Sequence, residues 1–313
     1  MVVIRLYMKL ILARAGYFFC WSLLVMTQTV VAQGLGNDLD SLEVRPSLVS
    51  PQLSLPTQLT QVHVVSPGEY FAPPLVANIP DDKYGDMVRM GRDIFVNTAK
   101  YARRYTGNGL MCTSCHLQEG RKPHSGPLWA AYGMYPMYRH KIRTVVTFEE
   151  RIQDCFLYSM NGIAPTLDSP EMKALVTYAQ WLSKGAPVGV DLPGRGFPNV
   201  SRSQDLDPKR GKIVYETRCE ICHGINGQGQ KHNNGDGYMF PPLWGRHSYN
   251  KGAGMQRIKT LAQFIKGNMP LGASFSLTDQ ASLDVAMYIW LQDRPKNPKM
   301  SWVMDFFFPN MAH

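Results

Sequence analysis

The sequence predicts an all-α chain made of two similar small domains, and three observations carry that prediction. The pentapeptide Cys-x-x-Cys-His occurs twice, at Cys112-Thr-Ser-Cys115-His116 and at Cys219-Glu-Ile-Cys222-His223. Each copy follows a helix-like segment, over 85–97 and 208–217, and precedes an amphipathic one, over 169–182 and 278–291, with apolar residues at helical spacing. Between the halves, Gly185-Ala186-Pro187 through Gly194-Arg195-Gly196-Phe197-Pro198 is rich in Gly and Pro and has no periodicity, which reads as a linker.

Taken in order, the chain of 313 residues opens with an export leader over 1–32. Arg5, Lys9 and Arg14 form its basic start and Ala15 to Met26 is apolar but too short to span a bilayer. Val30-Val31-Ala32 supplies the small residues a signal peptidase needs, so cleavage is expected after Ala32 and the mature protein is expected in the periplasm, with no membrane span left. The true start is Met1 or Met8. Residues 33–80, rich in Pro and Ser, form an extended N-terminal segment. Domain 1 then covers 81–185, the linker 186–204 and domain 2 205–295. The tail over 296–313 carries Trp302, Phe306, Phe307 and Phe308 and is expected to pack back on the protein, or to form a partner-binding patch.

Cys-x-x-Cys-His is the attachment signature of c-type haem. Two thiols three residues apart on a helical turn can add to the two vinyl groups of one porphyrin, which leaves the following imidazole beneath the iron as its proximal ligand. The prediction is therefore two cytochrome c-like domains, each with one covalently bound haem c: haem 1 on Cys112, Cys115 and His116, haem 2 on Cys219, Cys222 and His223. Each half also carries a Pro-Leu-Trp, at 127–129 and 242–244. In such domains a proline carbonyl accepts the histidine's second N–H, which makes Pro127 and Pro242 candidates for that role. The distal ligand of haem 2 is expected to be Met269, in Lys266-Gly267-Asn268-Met269-Pro270 just before the closing helix. For haem 1 the internal repeat points to Met160, with Cys155 five residues earlier as its rival; a thiolate would hold the potential low and a thioether would raise it. Spacing does not separate the two.

Charge and cysteine usage narrow the function. The formal charge of +9 falls by three when the leader leaves, since it contains no acidic residue. A moderately basic surface suits small anions or an acidic redox partner, and no basic run interleaved with aromatics suggests nucleic acid. Cys20 leaves with the leader and four thiols are taken by the haems, so Cys155 is left without an internal partner, whether inert, paired with another molecule or chemically employed.

The stretch Phe148-Glu-Glu-Arg151-Ile-Gln-Asp-Cys155-Phe-Leu-Tyr-Ser159-Met160-Asn161-Gly162 resembles the active-site segment of the dihaem thiosulfate dehydrogenases. The likeness extends through Tyr105-Thr-Gly-Asn-Gly-Leu110, the region Trp129 to Tyr138 and Gly267-Asn-Met-Pro270, and covers roughly residues 80 to 295. It implies an enzyme that oxidises two thiosulfate to tetrathionate, possible in reverse, with Cys155 as distal ligand of haem 1 and Arg151 and Ser159 beside the substrate. Haem 2 then relays electrons to an external acceptor such as a small cytochrome c or a high-potential iron–sulfur protein. A covalent cysteine-thiosulfonate intermediate on Cys155 would divide the difficult step in two. The family can use a Lys-Met pair as alternative haem 2 ligands; Asn268-Met269 stands there in this chain. The basic cluster Arg139, His140, Lys141 and Arg143 lies where the family binds anions, or is a solvated loop. The main alternative is a non-enzymatic dihaem electron shuttle with Met160 on haem 1. A dihaem peroxidase also has two such pentapeptides, but His63, His124, His140, His232, His247 and His313 lack ligand-like context.

Overall fold

A computed structural model describes residues 69–139 and 142–299, which lie within one compact unit. The leader, His63, His140, Lys141 and the aromatic tail with His313 lie outside the described residues. The longer helices are α1 (Lys83–Val96), α2 (Phe148–Asp154), α3 (Pro170–Leu182), α4 (Pro208–Arg218), α5 (Ile258–Asn268) and α6 (Asp279–Trp290). Helices dominate both halves, as expected. Two short antiparallel ribbons accompany them, β1 (Met137–Arg139) with β2 (Thr144–Val146) and β3 (Gln230–Lys231) with β4 (Tyr238–Phe240). Among the described residues no helix is long and apolar enough to cross a membrane.

The helix starts are written locally. Asp82, Ser169, Asp207 and Thr278 each cap α1, α3, α4 and α6 by accepting a backbone N–H of the first turn, and α3 and α4 both place Pro next. Thr147 and Glu150 form a reciprocal capping box on α2.

In each half the first and last long helices cross at a glycine. A Cβ on Gly91 of α1 would lie 2.0 Å from the Ala174 carbonyl oxygen of α3, and one on Gly211 of α4 would lie 2.0 Å from that of Asp284 in α6. Around these crossings lie two apolar cores, one built on Val88, Ile94, Phe95, Tyr178 and Leu182, the other on Tyr215, Leu261, Val285 and Ile289. Gly91→Ala and Gly211→Ala are each expected to cost about 1–3 kcal/mol, because the obstacle is backbone and cannot rotate away. Thermal melts of the haem-loaded protein check this against Gly254→Ala, where no atom lies within 4 Å of the added carbon.

Residues 186–204 contain no helix or strand and run along the first half instead of standing free. Gly189 N donates to Gly133 O (2.9 Å), while Gly194 O and Gly196 O accept from the backbone of His124 (2.7 Å) and Gly126 (2.9 Å). Leu192 is buried in the first core.

Candidate active site and haem cavities

Each half encloses a cavity with one pentapeptide in its wall. In the first half a cavity of about 270 Å³ is lined by Cys112, Cys115 and His116 and also by Arg151, Cys155, Ser159 and Met160. In the second, a cavity of about 420 Å³ is lined by Cys219, Cys222 and His223 together with Met269. The expected haem-attachment and ligand residues, with Arg151 and Ser159, therefore all lie on one of two surfaces. The two cavities also share a wall, since Leu110, Met111, Ser114 and Cys115 line both.

Both sets of residues fit a covalently held haem. The thiols sit in apolar surroundings, and burial pushes Cys112 and Cys115 up to about 12 and Cys219 up to about 11. They would therefore be neutral thiols, and thioether formation removes the ionisable group altogether. Burial lowers the pKa of His116 and of His223, which favours the neutral imidazole a metal requires. His116 Nδ1 donates to Gly126 O at 2.7 Å and His223 Nδ1 to Pro241 O at 2.8 Å, so Nε2 is left as the ligating nitrogen of each ring.

These acceptors correct the expectation for Pro127 and Pro242. In both halves the acceptor is the carbonyl that precedes the Pro-Leu-Trp, not that of its proline. Pro127 is the N-cap of the helical turn Leu128–Ala131, so its own carbonyl is turned into that helix and the one before it is left to face the ring.

Just after His116, Gln118 and Glu119 both adopt left-handed backbone, which costs about 1–2 kcal/mol per residue. Arg92 holds the Glu119 carboxylate with two hydrogen bonds (2.9 and 2.7 Å) and the Tyr178 hydroxyl donates to its carbonyl (2.9 Å). These contacts fix how the chain leaves the histidine.

Opposite His116 the chain leaves α2 in a π-helical turn, Cys155–Ser159, a form frequent at functional sites. Arg151 lies four residues before Cys155, on the same helical face, and its Nη1 donates to Cys155 Sγ at 3.0 Å. The pKa of Arg151 is raised, first by its electrostatic interaction with Cys155. Met160 is 3 % exposed and belongs to the first core.

A wide π turn leaves carbonyls without helical partners, and the second half supplies some of them. Asn250 N donates to Tyr158 O (3.0 Å), while its side-chain Nδ2 donates to Leu157 O (2.9 Å) and to Asn161 Oδ1 (3.0 Å). Asn108 Nδ2 donates to Ser159 O (3.1 Å) and Ser248 O (3.0 Å). Both asparagines are buried.

Of the basic cluster, Arg139 and Arg143 are the described members, and they stand apart from the cavity. Arg139 is half-buried, 3.8 Å from Asp154, and Arg143 is exposed in the β1–β2 turn; neither lines the cavity. Two lining residues escaped the sequence reading. Arg195, anchored on Asp191 at 2.5 Å, enters from the segment read as a linker, and Tyr135 sets its ring against Phe148 with centroids 5.4 Å apart and interacts electrostatically with Arg151. A lone arginine between Gly194 and Gly196 was the available signal for the first.

Residues 98–188 match the family described as the SoxA/TsdA cytochrome c domain, and residues 206–289 match that described as cbb3-type cytochrome c oxidase subunit III. The thiosulfate dehydrogenase of Stutzerimonas stutzeri is 51% identical over 246 residues, which cover 78% of this chain and 80% of that one. That of Allochromatium vinosum is 39% identical over 226 residues, 71% of this chain and 83% of the relative. Among solved structures, the thiosulfate dehydrogenase (TsdBA) from Marichromatium purpuratum is similar with a TM-score of 0.73 at 38% identity. That match covers 77% of this chain and 53% of the other, so the chain spans about half the length of that protein.

Proposed function

The chain belongs to the thiosulfate dehydrogenase family, and from that premise we propose how its two halves share the work. It is a dihaem c-type cytochrome and an oxidoreductase that acts on thiosulfate. The first half does the sulfur chemistry at Cys155 and the second relays electrons, with His116 and Cys155 as ligands of haem 1 and His223 and Met269 as ligands of haem 2. The observation that carries this reading is the Arg151 guanidinium 3.0 Å from Cys155 Sγ in the wall of the haem 1 cavity.

The chemical problem is to join two dianions while removing two electrons. Arg151 lowers the cost by holding positive charge where sulfonate oxygens must come, and Arg195 adds a second cation to the same cavity. Ser159 contributes a neutral hydroxyl. Cys155 Sγ forms a bond to the outer sulfur of the first thiosulfate as two electrons leave. The second thiosulfate then attacks that outer sulfur, tetrathionate departs, and Cys155 leaves as the thiolate it was before. Atoms and charge balance at both steps. The haems supply one-electron acceptance, so the pair leaves as two single electrons. The wall shared by the two cavities supports a short route between the halves. The same steps can run in reverse, reducing tetrathionate, and the potentials of the two haems set which direction dominates.

The protein is exported to the periplasm and passes electrons to a small cytochrome c or a high-potential iron–sulfur protein. Ferricyanide reduction by the haem-loaded protein with thiosulfate, with tetrathionate quantified, tests the function. One tetrathionate for every two ferricyanide is expected. Reduction of the haems by ascorbate with no tetrathionate from thiosulfate would instead leave a dihaem electron shuttle.

A further inference from the structure

The segment 122–126 follows His116 in the first half and is locked to the haem 1 attachment at one end. Gly126 O accepts from His116 Nδ1, and the Ser125 hydroxyl donates to Cys115 O (2.8 Å) while accepting from Leu117 N (3.0 Å). Its other end reaches into the second half. Lys122 Nζ donates to Asn268 Oδ1 at 2.9 Å, to Ser274 Oγ at 2.8 Å and towards Gly267 O at 3.5 Å.

Those three acceptors bracket Met269. Asn268, immediately before it, is 0 % exposed, and its Nδ2 donates to His124 O at 2.7 Å and Phe264 O at 3.1 Å. Gly267 is pressed so closely on the first half and the linker that a Cβ there would lie 2.9 Å from Pro198 and 3.3 Å from His124 O. Beyond Met269, Ser274 takes the lysine and Phe275 sets its ring against His124 with centroids 5.6 Å apart. The loop that carries Met269 is thus held on both sides by one anchored segment of the other half.

We propose that Lys122 is a positioning residue for haem 2, a clasp that keeps the Met269 loop closed over its cavity. The inference rests on Met269 being the distal ligand. A methionine sulfur is neutral, so its hold on a metal depends on what anchors the backbone around it. A half-buried ammonium donating to acceptors before and after the ligand is a strong anchor, because charge-assisted hydrogen bonds are about twice as strong as neutral ones.

The test is an imidazole titration of the oxidised haem-loaded protein, following loss of the methionine–iron charge-transfer band, in wild type, Lys122→Met and Ser274→Ala. Methionine keeps the lysine stem's bulk and removes only the donor. Imidazole is expected to displace Met269 about tenfold more readily in Lys122→Met, equivalent to ~1.4 kcal/mol. Ser274→Ala is expected to shift the same way by less, and Lys122→Arg to restore part of the wild-type resistance. Displacement at the wild-type concentration in Lys122→Met overturns the clasp. A wild-type protein with no such band overturns it differently, by removing Met269 as the ligand to be positioned.

Discussion

Replacing Cys155 with serine is expected to lower thiosulfate-dependent ferricyanide reduction by about 10³-fold or more, the scale on which loss of an attacking group falls. Serine occupies nearly the same space and its oxygen can still accept from Arg151 Nη1, so the fold and the π turn are kept. What goes is the sulfur. A hydroxyl forms no sulfur–sulfur bond with thiosulfate and replaces no thiolate on iron. Two further measurements divide these roles. Low-temperature electron paramagnetic resonance of the oxidised protein should lose its low-spin thiolate signal in the variant. Mass spectrometry of wild type quenched under tetrathionate should find the mass of a thiosulfonate group on Cys155. The control is Met160→Leu, a volume-conserving change in the core expected to cost under about 1.5 kcal/mol and to leave the signal unchanged. If instead Cys155→Ser keeps both signal and activity while Met160→Leu alters them, haem 1 is methionine-ligated and the sulfur chemistry lies elsewhere.

Arg151→Gln is expected to have the second-largest effect, a fall in kcat of about 10²–10³. The guanidinium lies 3.0 Å from the thiol and lines the cavity proposed to take the sulfonate. It therefore acts on the charge that builds as two anions approach, which is greatest in the transition state, and its loss belongs in kcat more than in KM. Glutamine keeps donors in place without the positive charge. Arg151→Lys keeps the charge but loses the planar fork, so an intermediate rate is expected. Because Arg151 is half-buried in the cavity wall, added salt should weaken wild-type turnover far less than it weakens association with an exposed partner. A rise in KM alone in Arg151→Gln would restrict the residue to ground-state binding.

Much of this could be read in advance because it is local. The caps at Asp82, Ser169, Asp207 and Thr278, the apolar spacing of α3 and α6, and the two pentapeptides all depend on residues a few positions apart. Both proline carbonyls were misplaced by one residue because motif position does not say which carbonyl faces the ring; at Pro127 the helical turn Leu128–Ala131 takes up the proline's own. Spacing could not choose between Cys155 and Met160 for a geometric reason. A π turn brings residues five apart onto one face, and Met160 N indeed donates to Cys155 O at 3.0 Å, so both side chains reach the same cavity. Arg195 was hidden because Gly and Pro around it erase periodicity, whereas the fold uses that segment as cavity wall. Asn108 and Asn250 were beyond reach for another reason: their partners lie 51 and 93 positions away, and nothing local to an asparagine announces a distant carbonyl.

The asparagine contacts change what the duplicated appearance of the chain means. Asn250 comes from the second half, yet it completes carbonyls of the turn that carries Cys155, the proposed reactive thiol. Cutting the protein between its modules would strip Leu157, Tyr158 and Asn161 of partners at the point where geometry matters most. The two halves look interchangeable with other small cytochromes, but neither is a portable part. A chimaera that replaced the second module would inherit an electron relay and lose the mould for the first module's chemistry, unless the incoming sequence also brought an asparagine to that place. Concatenation has become interdependence, with Asn250 serving the turn through both its backbone and its side chain.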